Sequence, residues 1–208
     1  MSSAYQFLRQ AIPRLLPLLI DLEVIGEENF PAPPYILVTN HLSIFDLPVI
    51  FITCPHRVHA FAAEKHRRNP IYAPLLSAVG AIWVQRGEVD RHALREALQL
   101  LEDGGVLGVA PEGTRSRDSN TLLEGKAGPA YLATRADVPL VPVGLAGTER
   151  VRVNLPRLRR TEVQTAIGEP FRLPQAGRVR TPQLREYAEL IMHRIAELVP
   201  PEYRGIYS

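Results

Sequence analysis

What most limits the fold of this chain is a succession of short apolar runs, several of them unbroken, that alternate with helical patterns. The runs Tyr35–Thr39, Val58–Ala62, Ala81–Val84, Val106–Ala110, Leu140–Gly144 and Val163–Ile167 are rich in Val, Ile and Leu and read as strands. A strand without polar alternation has no face for water, so these runs predict a sheet covered on both sides. Between them, Asp90–Glu102 sets Leu94, Leu98 and Leu101 on one stripe and stops at Gly104-Gly105, a helix signature. Lys126–Arg135 reads as a second, short helix. The last helix opens with Thr181 as cap and Pro182 in its first turn, then buries Leu184, Tyr187, Ile191, Ile195 and Leu198. Strands alternating with helices mean an α/β fold.

The 208 residues suit one domain with its own core, so neither disulfides nor a metal is needed for folding. The single cysteine, Cys54, sits between apolar neighbours and reads as a buried, inert thiol in a reducing compartment. A net charge of +2 is too small to imply a nucleic-acid partner. The use of basic residues is more informative: 22 are Arg, and only Lys65 and Lys126 are Lys.

Residues 1–30 lack the basic start, apolar core and small-residue cleavage site of a signal peptide. No stretch reaches the roughly 20 apolar residues of a membrane span, since Pro13, Arg14, Pro17 and Asp21 interrupt Ala11–Ile25. Phe7, Leu8, Ile12, Leu15, Leu16 and Leu19 recur at helical spacing, with Arg9 and Arg14 among them. Residues 1–21 are therefore expected to form an amphipathic helix, seated in a bilayer interface or on the domain's own core. Residues 22–208 form the main domain. Glu149–Arg160 carries five arginines with little helical or strand signal and reads as a basic loop.

Two polar clusters follow predicted strands, where α/β folds place their sites. The first is Asn40-His41-Leu42-Ser43-Ile44-Phe45-Asp46. His41 and Asp46 are five apart and meet only if the chain turns between them, with Asp46 opening the next helix. A carboxylate on one imidazole nitrogen fixes the tautomer and leaves the other nitrogen free to take a proton. Ser43 is outside any Gly-x-Ser-x-Gly elbow and reads as a residue that caps or orients the turn. His41, Asp46, His56 and His59 match no zinc spacing, so no metal is expected. The second cluster is Pro111-Glu112-Gly113-Thr114-Arg115-Ser116-Arg117. Its Gly admits an anion close to the backbone, its Thr can donate, and Arg115 offers a fork matched to phosphate.

With these residues in place, the chain resembles the 1-acylglycerol-3-phosphate acyltransferase family, within the wider glycerolipid acyltransferases. Asn40–Asp46 resembles that family's first block and Pro111–Ser116 its third. Gly80–Arg86 resembles the second, and Val138–Val143 the fourth. Lys65 and Lys126 fall at positions matching the family's lysines upstream of the second block and in the Lys-x-Gly turn after the third. The resemblance spans roughly residues 22–170. Two packing positions depart from the pattern, Ala110 where an aromatic is usual and Trp83 in the second block, and the N-terminal lead is short.

The resemblance implies a mixed, mostly parallel central sheet flanked by helices, with a short N-terminal amphipathic helix. It implies transfer of a fatty acyl group from acyl-CoA or acyl-carrier protein to the sn-2 hydroxyl of lysophosphatidate, giving phosphatidate, with no cofactor. His41 is then the general base and Asp46 its orienter. Asn40, Ser43, Lys65, Arg86, Glu112, Gly113, Thr114, Arg115 and Lys126 are the expected substrate contacts, with Glu112 on glycerol hydroxyls or on Arg115. The expected partners are the two substrates, an anionic membrane surface and a candidate acyl carrier protein. The expected place is the cytoplasmic face of the cell membrane, peripheral or monotopic. Another lysophospholipid or glycolipid acceptor, a thioesterase and a non-catalytic lipid-binding module are the competing readings.

Overall fold

In a computed structural model, which describes residues 3–70, 72–85, 90–116, 119–174 and 179–208, the apolar runs form one seven-stranded sheet. In chain order the elements are α1 (Ser3–Leu15), β1 (Ile20–Ile25), β2 (Tyr35–Thr39), α2 (Asp46–Thr53), β3 (Val58–Ala63), α3 (Tyr72–Ala78) and β4 (Ile82–Val84). There follow α4 (Arg91–Glu102), β5 (Val106–Val109), α5 (Gly128–Ala136), β6 (Leu140–Ala146), α6 (Val151–Asn154), β7 (Thr161–Ile167) and α7 (Thr181–Ala196). The strand order is β1-β7-β6-β2-β5-β3-β4. β6, β2, β5, β3 and β4 run parallel, whereas β7 is antiparallel to β6 and parallel to β1. The sheet is thus mixed and mostly parallel, as expected.

Alternation along β2 divides the core. Ile36 and Val38 pack with α4, α5 and α7, through residues such as Leu101, Leu132 and Ile191. Tyr35 and Leu37 pack on the other face with Val49 and Ile50 of α2, Leu16, and Val151 of α6. Both faces are covered, which is why the strands could be written in continuous apolar residues. Cys54 is buried in that second cluster, with its Sγ 3.1 Å from the Tyr35 hydroxyl.

Three expectations shift. β1 was not foreseen: it begins at Ile20, so residues 20 and 21 belong to the sheet and not to the N-terminal helix. The segment read as a basic loop is coiled into helical turns, Thr148–Arg150, α6 and Leu155–Arg157. Thr181 is the first helical residue of α7, and the cap position falls on Arg180. The N-terminal helix itself is present, and a 3-10 turn over Leu16–Leu18 joins it to β1. Tyr5, Leu8, Ile12 and Leu16 face the protein, while Phe7, Leu15 and Leu18 face outward. No described helix is long and apolar enough to cross a membrane.

Candidate active site

Because the five central strands are parallel, the segments that leave their C-terminal ends emerge along one edge of the sheet. Register then sets which residues meet. Val38 of β2 pairs with Val109 of β5, and three residues beyond each stand His41 and Glu112, in direct contact.

His41 Nδ1 lies 2.6 Å from Asp46 Oδ2. The turn between them is built around that carboxylate: Oδ2 also accepts from the backbone N–H groups of Leu42 at 2.8 Å and Ser43 at 2.9 Å. Oδ1 accepts from the Thr148 hydroxyl, which approaches from beyond β6. Asp46 is also the first residue of α2, where the helix dipole favours a negative charge. Its side chain is 6% exposed and that of His41 is 28% exposed, so the carboxylate is sealed while the imidazole reaches the surface. With a carboxylate oxygen facing Nδ1, that nitrogen is the one that carries the ring proton. Among the described residues nothing bonds Nε2, which is left as the basic nitrogen.

Glu112 is 2% exposed and has a task the sequence did not suggest. Its Oε2 accepts from the His41 backbone N–H and its Oε1 from Leu123 N–H, both at 3.2 Å. Burial pushes its carboxyl up to about 7; the two N–H donors pull the other way, and the Asp46 charge adds to the rise. His41 is held from its other side too, since its carbonyl accepts from Ser116 N–H at 2.9 Å. The expected role on glycerol hydroxyls or Arg115 therefore gives way to one on the backbone of the histidine.

Asn40 and Ser43 are corrected in the same sense. Asn40, 1% exposed, turns its amide onto β6, donating to Leu145 O at 2.9 Å and accepting from Leu145 N–H at 2.8 Å. Both ends of the amide engage the Leu145 backbone and the side chain is buried, so Asn40 pins β2 to β6. Ser43 Oγ accepts from Phe45 N–H at 3.0 Å and donates to Thr148 O at 3.1 Å. Thr148 is the residue that sequence reasoning missed. A signal was available, because Thr148 follows an apolar strand just as His41 and Glu112 do.

Three of the cationic candidates, Lys65, Arg115 and Lys126, follow strands at the same edge. Gly113, at φ +67, leaves room for Lys126: a Cβ there would stand 2.8 Å from its Nζ. The Lys126 N–H bonds Pro111 O at 3.0 Å, so the Lys-x-Gly turn is tied to the third block. Thr114 and Lys126 are exposed and Arg115 is half-buried. Lys65 is exposed in the 3-10 turn that follows β3, on the same edge. Arg86 lies outside the described residues. Among the described residues, no three His, Cys, Asp or Glu side chains converge as a metal site requires.

Comparison with known proteins agrees with this arrangement. The family model described as Acyltransferase matches residues 21–146, from β1 to the end of β6. The chain is 26% identical over 199 residues to the 1-acyl-sn-glycerol-3-phosphate acyltransferase of Bacillus subtilis, covering 93% of this chain and 96% of that protein. It is 32% identical over 138 residues to the Saccharomyces cerevisiae protein of the same name, covering 62% of this chain and 44% of that one. The chain therefore spans less than half the length of the yeast relative. The crystal structure of the 1-acyl-sn-glycerophosphate acyltransferase PlsC from Thermotoga maritima superposes with a TM-score of 0.71 at 29% identity, over 93% of this chain and 79% of that one. A model match over more than half of the residues, on strands that carry a histidine–aspartate pair at their shared edge, places this chain in the acyltransferase family.

Proposed function

We propose that the chain transfers a fatty acyl group from a thioester to the free hydroxyl of 1-acylglycerol-3-phosphate, forming phosphatidate. The observation that carries this reading is the His41–Asp46 contact of 2.6 Å at the edge where the phosphate-matched loop also emerges. An alcohol is a poor nucleophile at neutral pH. His41 Nε2 takes the hydroxyl proton as the oxygen attacks the thioester carbon, and Asp46 steadies the imidazolium that results. The C–S bond then breaks, and the proton on Nε2 passes to the departing thiolate. An O-acyl bond has formed, a thiol has been released, and the base is restored. The thiolate leaves readily, so the chemistry needs no acyl-enzyme intermediate.

Arg115, Lys126 and Lys65, with Arg86, supply positive charge for the acceptor phosphate, and Gly113 lets that phosphate approach the backbone. The names of the relatives support the acceptor. Coenzyme A and acyl carrier protein both present a thioester, and the donor is read here as either. The place of action is read as an anionic membrane surface on its cytoplasmic side, where the lipid acceptor resides.

The test is purified protein with radiolabelled lysophosphatidate and an acyl-CoA. Labelled phosphatidate should form, and His41→Ala should lower kcat/KM by at least about 100- to 10,000-fold with the fold retained. Unchanged turnover in that variant removes His41 from the mechanism. Fatty acid release independent of any acceptor marks a thioesterase instead, and product from other lysolipids alone moves the acceptor.

A further inference from the structure

Among the described residues, eleven large hydrophobic side chains are exposed, and six of them fall in two short segments: Phe7, Leu15 and Leu18 at the N-terminus, and Val153, Leu155 and Leu158 between β6 and β7. The two segments abut. Thr161 N–H bonds Leu19 O at 2.9 Å, Arg160 Nη2 bonds Ile20 O at 3.0 Å, and Leu16, Ile20 and Val151 share one core cluster. Because β7 and β1 run against the central strands, both segments lie on the sheet edge that carries His41. In strand order they stand two and three strands from β2, about 10–15 Å away.

Leu158 is the sharpest feature of this surface, at 95% exposed. Its backbone is left-handed, at φ +52. Arg159 N–H bonds Asn154 O at 3.2 Å and Leu158 N–H bonds Leu155 O at 3.1 Å. This is the paired closure of a helix end whose left-handed residue is usually glycine. Leucine there is unfavourable twice over, once for its backbone and once for its apolar side chain in water. Neither cost brings a packing contact in return, so the stability of the fold does not explain the residue.

The charges around it identify the occupant. Arg160 is engaged by Ile20 O and Asp21, and Arg150 by Glu149 and Tyr203. Arg152, Arg157 and Arg159 are exposed, and among the described residues their side chains make no ion pair or hydrogen bond. An apolar tip set among uncompensated arginines matches a surface of anionic headgroups over hydrocarbon. We infer that the α6–β7 connection is a membrane-insertion element, with Leu158 as its wedge and Arg152, Arg157 and Arg159 as its headgroup contacts, continuous with the outer face of α1. This deepens the proposed function and rests on it only for the purpose of the contact: a lipid acceptor would reach His41 from the bilayer that this edge touches.

The test is co-sedimentation of the full chain with vesicles of phosphatidylcholine containing phosphatidylglycerol. Leu158→Gly suits the left-handed backbone and should keep or raise Tm while lowering vesicle partitioning about tenfold. Arg157→Gln and Arg159→Gln should each weaken it about fivefold, with little effect on vesicles of phosphatidylcholine alone. Partitioning unchanged in Leu158→Gly overturns the inference. So does vesicle-free self-association that Leu158→Gly abolishes, which would make the surface a contact between copies. So does a rise in KM for an acyl-carrier-protein donor in the arginine variants with partitioning unchanged. Vesicle binding is read without substrates, so a failure of acyl transfer by the unmodified chain would sink the catalytic reading and leave this one standing.

Discussion

A carboxyl group enclosed as Glu112 is keeps its proton to higher pH than a surface glutamate, because burial outweighs its two N–H donors. Its folded value, about 7, stands above the ordinary 4.5, so the folded state binds this proton more tightly than the unfolded chain does. The stabilisation is complete below pH 4.5 and is lost as pH rises to about 7. The unfolding free energy from urea titrations should therefore fall across that window for the unmodified chain relative to Glu112→Gln, by roughly 3 kcal/mol at most. Parallel curves would show that folding does not raise the Glu112 carboxyl above its ordinary range. The His41–Asp46 pair was legible because both partners lie in one turn after one strand. Glu112's role was not, because it depends on the pairing of Val38 with Val109, which no local pattern reveals. Thr148 could be placed on this edge because it follows an apolar strand, but its bond to Asp46 across 102 positions of sequence could not be read locally.

Unbroken apolar character marks a strand buried on both faces, and β2, β5 and β6 were recognisable by it. β1 is a different object. It is an edge strand, IDLEVI, whose buried and exposed residues largely alternate. A search for continuous apolar runs passes over it and hands Ile20 to the preceding helix. The α6 segment escaped because four helical residues are too few to show periodicity. Between elements, Asn40 is the fastening that matters most. Asn40→Ala strands a buried N–H and a buried C=O on Leu145, each costing about 1–3 kcal/mol. Tm should drop by roughly 5–15 °C, while the KM for acceptor in the folded fraction stays unchanged. An unaltered Tm with a raised KM would return Asn40 to the substrate.

At the scale of the molecule, the N-terminal helix is moored and not loose. Arg9 donates to three carbonyls at the end of α2, those of Phe51 at 2.7 Å and of Cys54 and Pro55 at 3.3 Å. Tyr5 packs edge-on against Phe51, and the Arg57 guanidinium sits 4.8 Å from the Tyr5 ring centre. This satisfies carbonyls that a helix end otherwise leaves open. It also couples the outward face of α1 to the helix that Asp46 begins. Arg9→Ala should speed amide hydrogen exchange along residues 3–15 several-fold, with a global loss of only about 1–2 kcal/mol. Exchange rates unmoved in that variant would show that the aromatic contacts alone hold α1.

The peptide of His41 is gripped on both sides by the loop after β5, through Glu112 at its N–H and Ser116 at its carbonyl. For anyone assembling chimaeras from relatives, the two loops are therefore one cartridge. Residues 40–46 moved alone would arrive without their mounting, and the graft that keeps its chemistry is the one that carries 111–116 and Leu123 along with them.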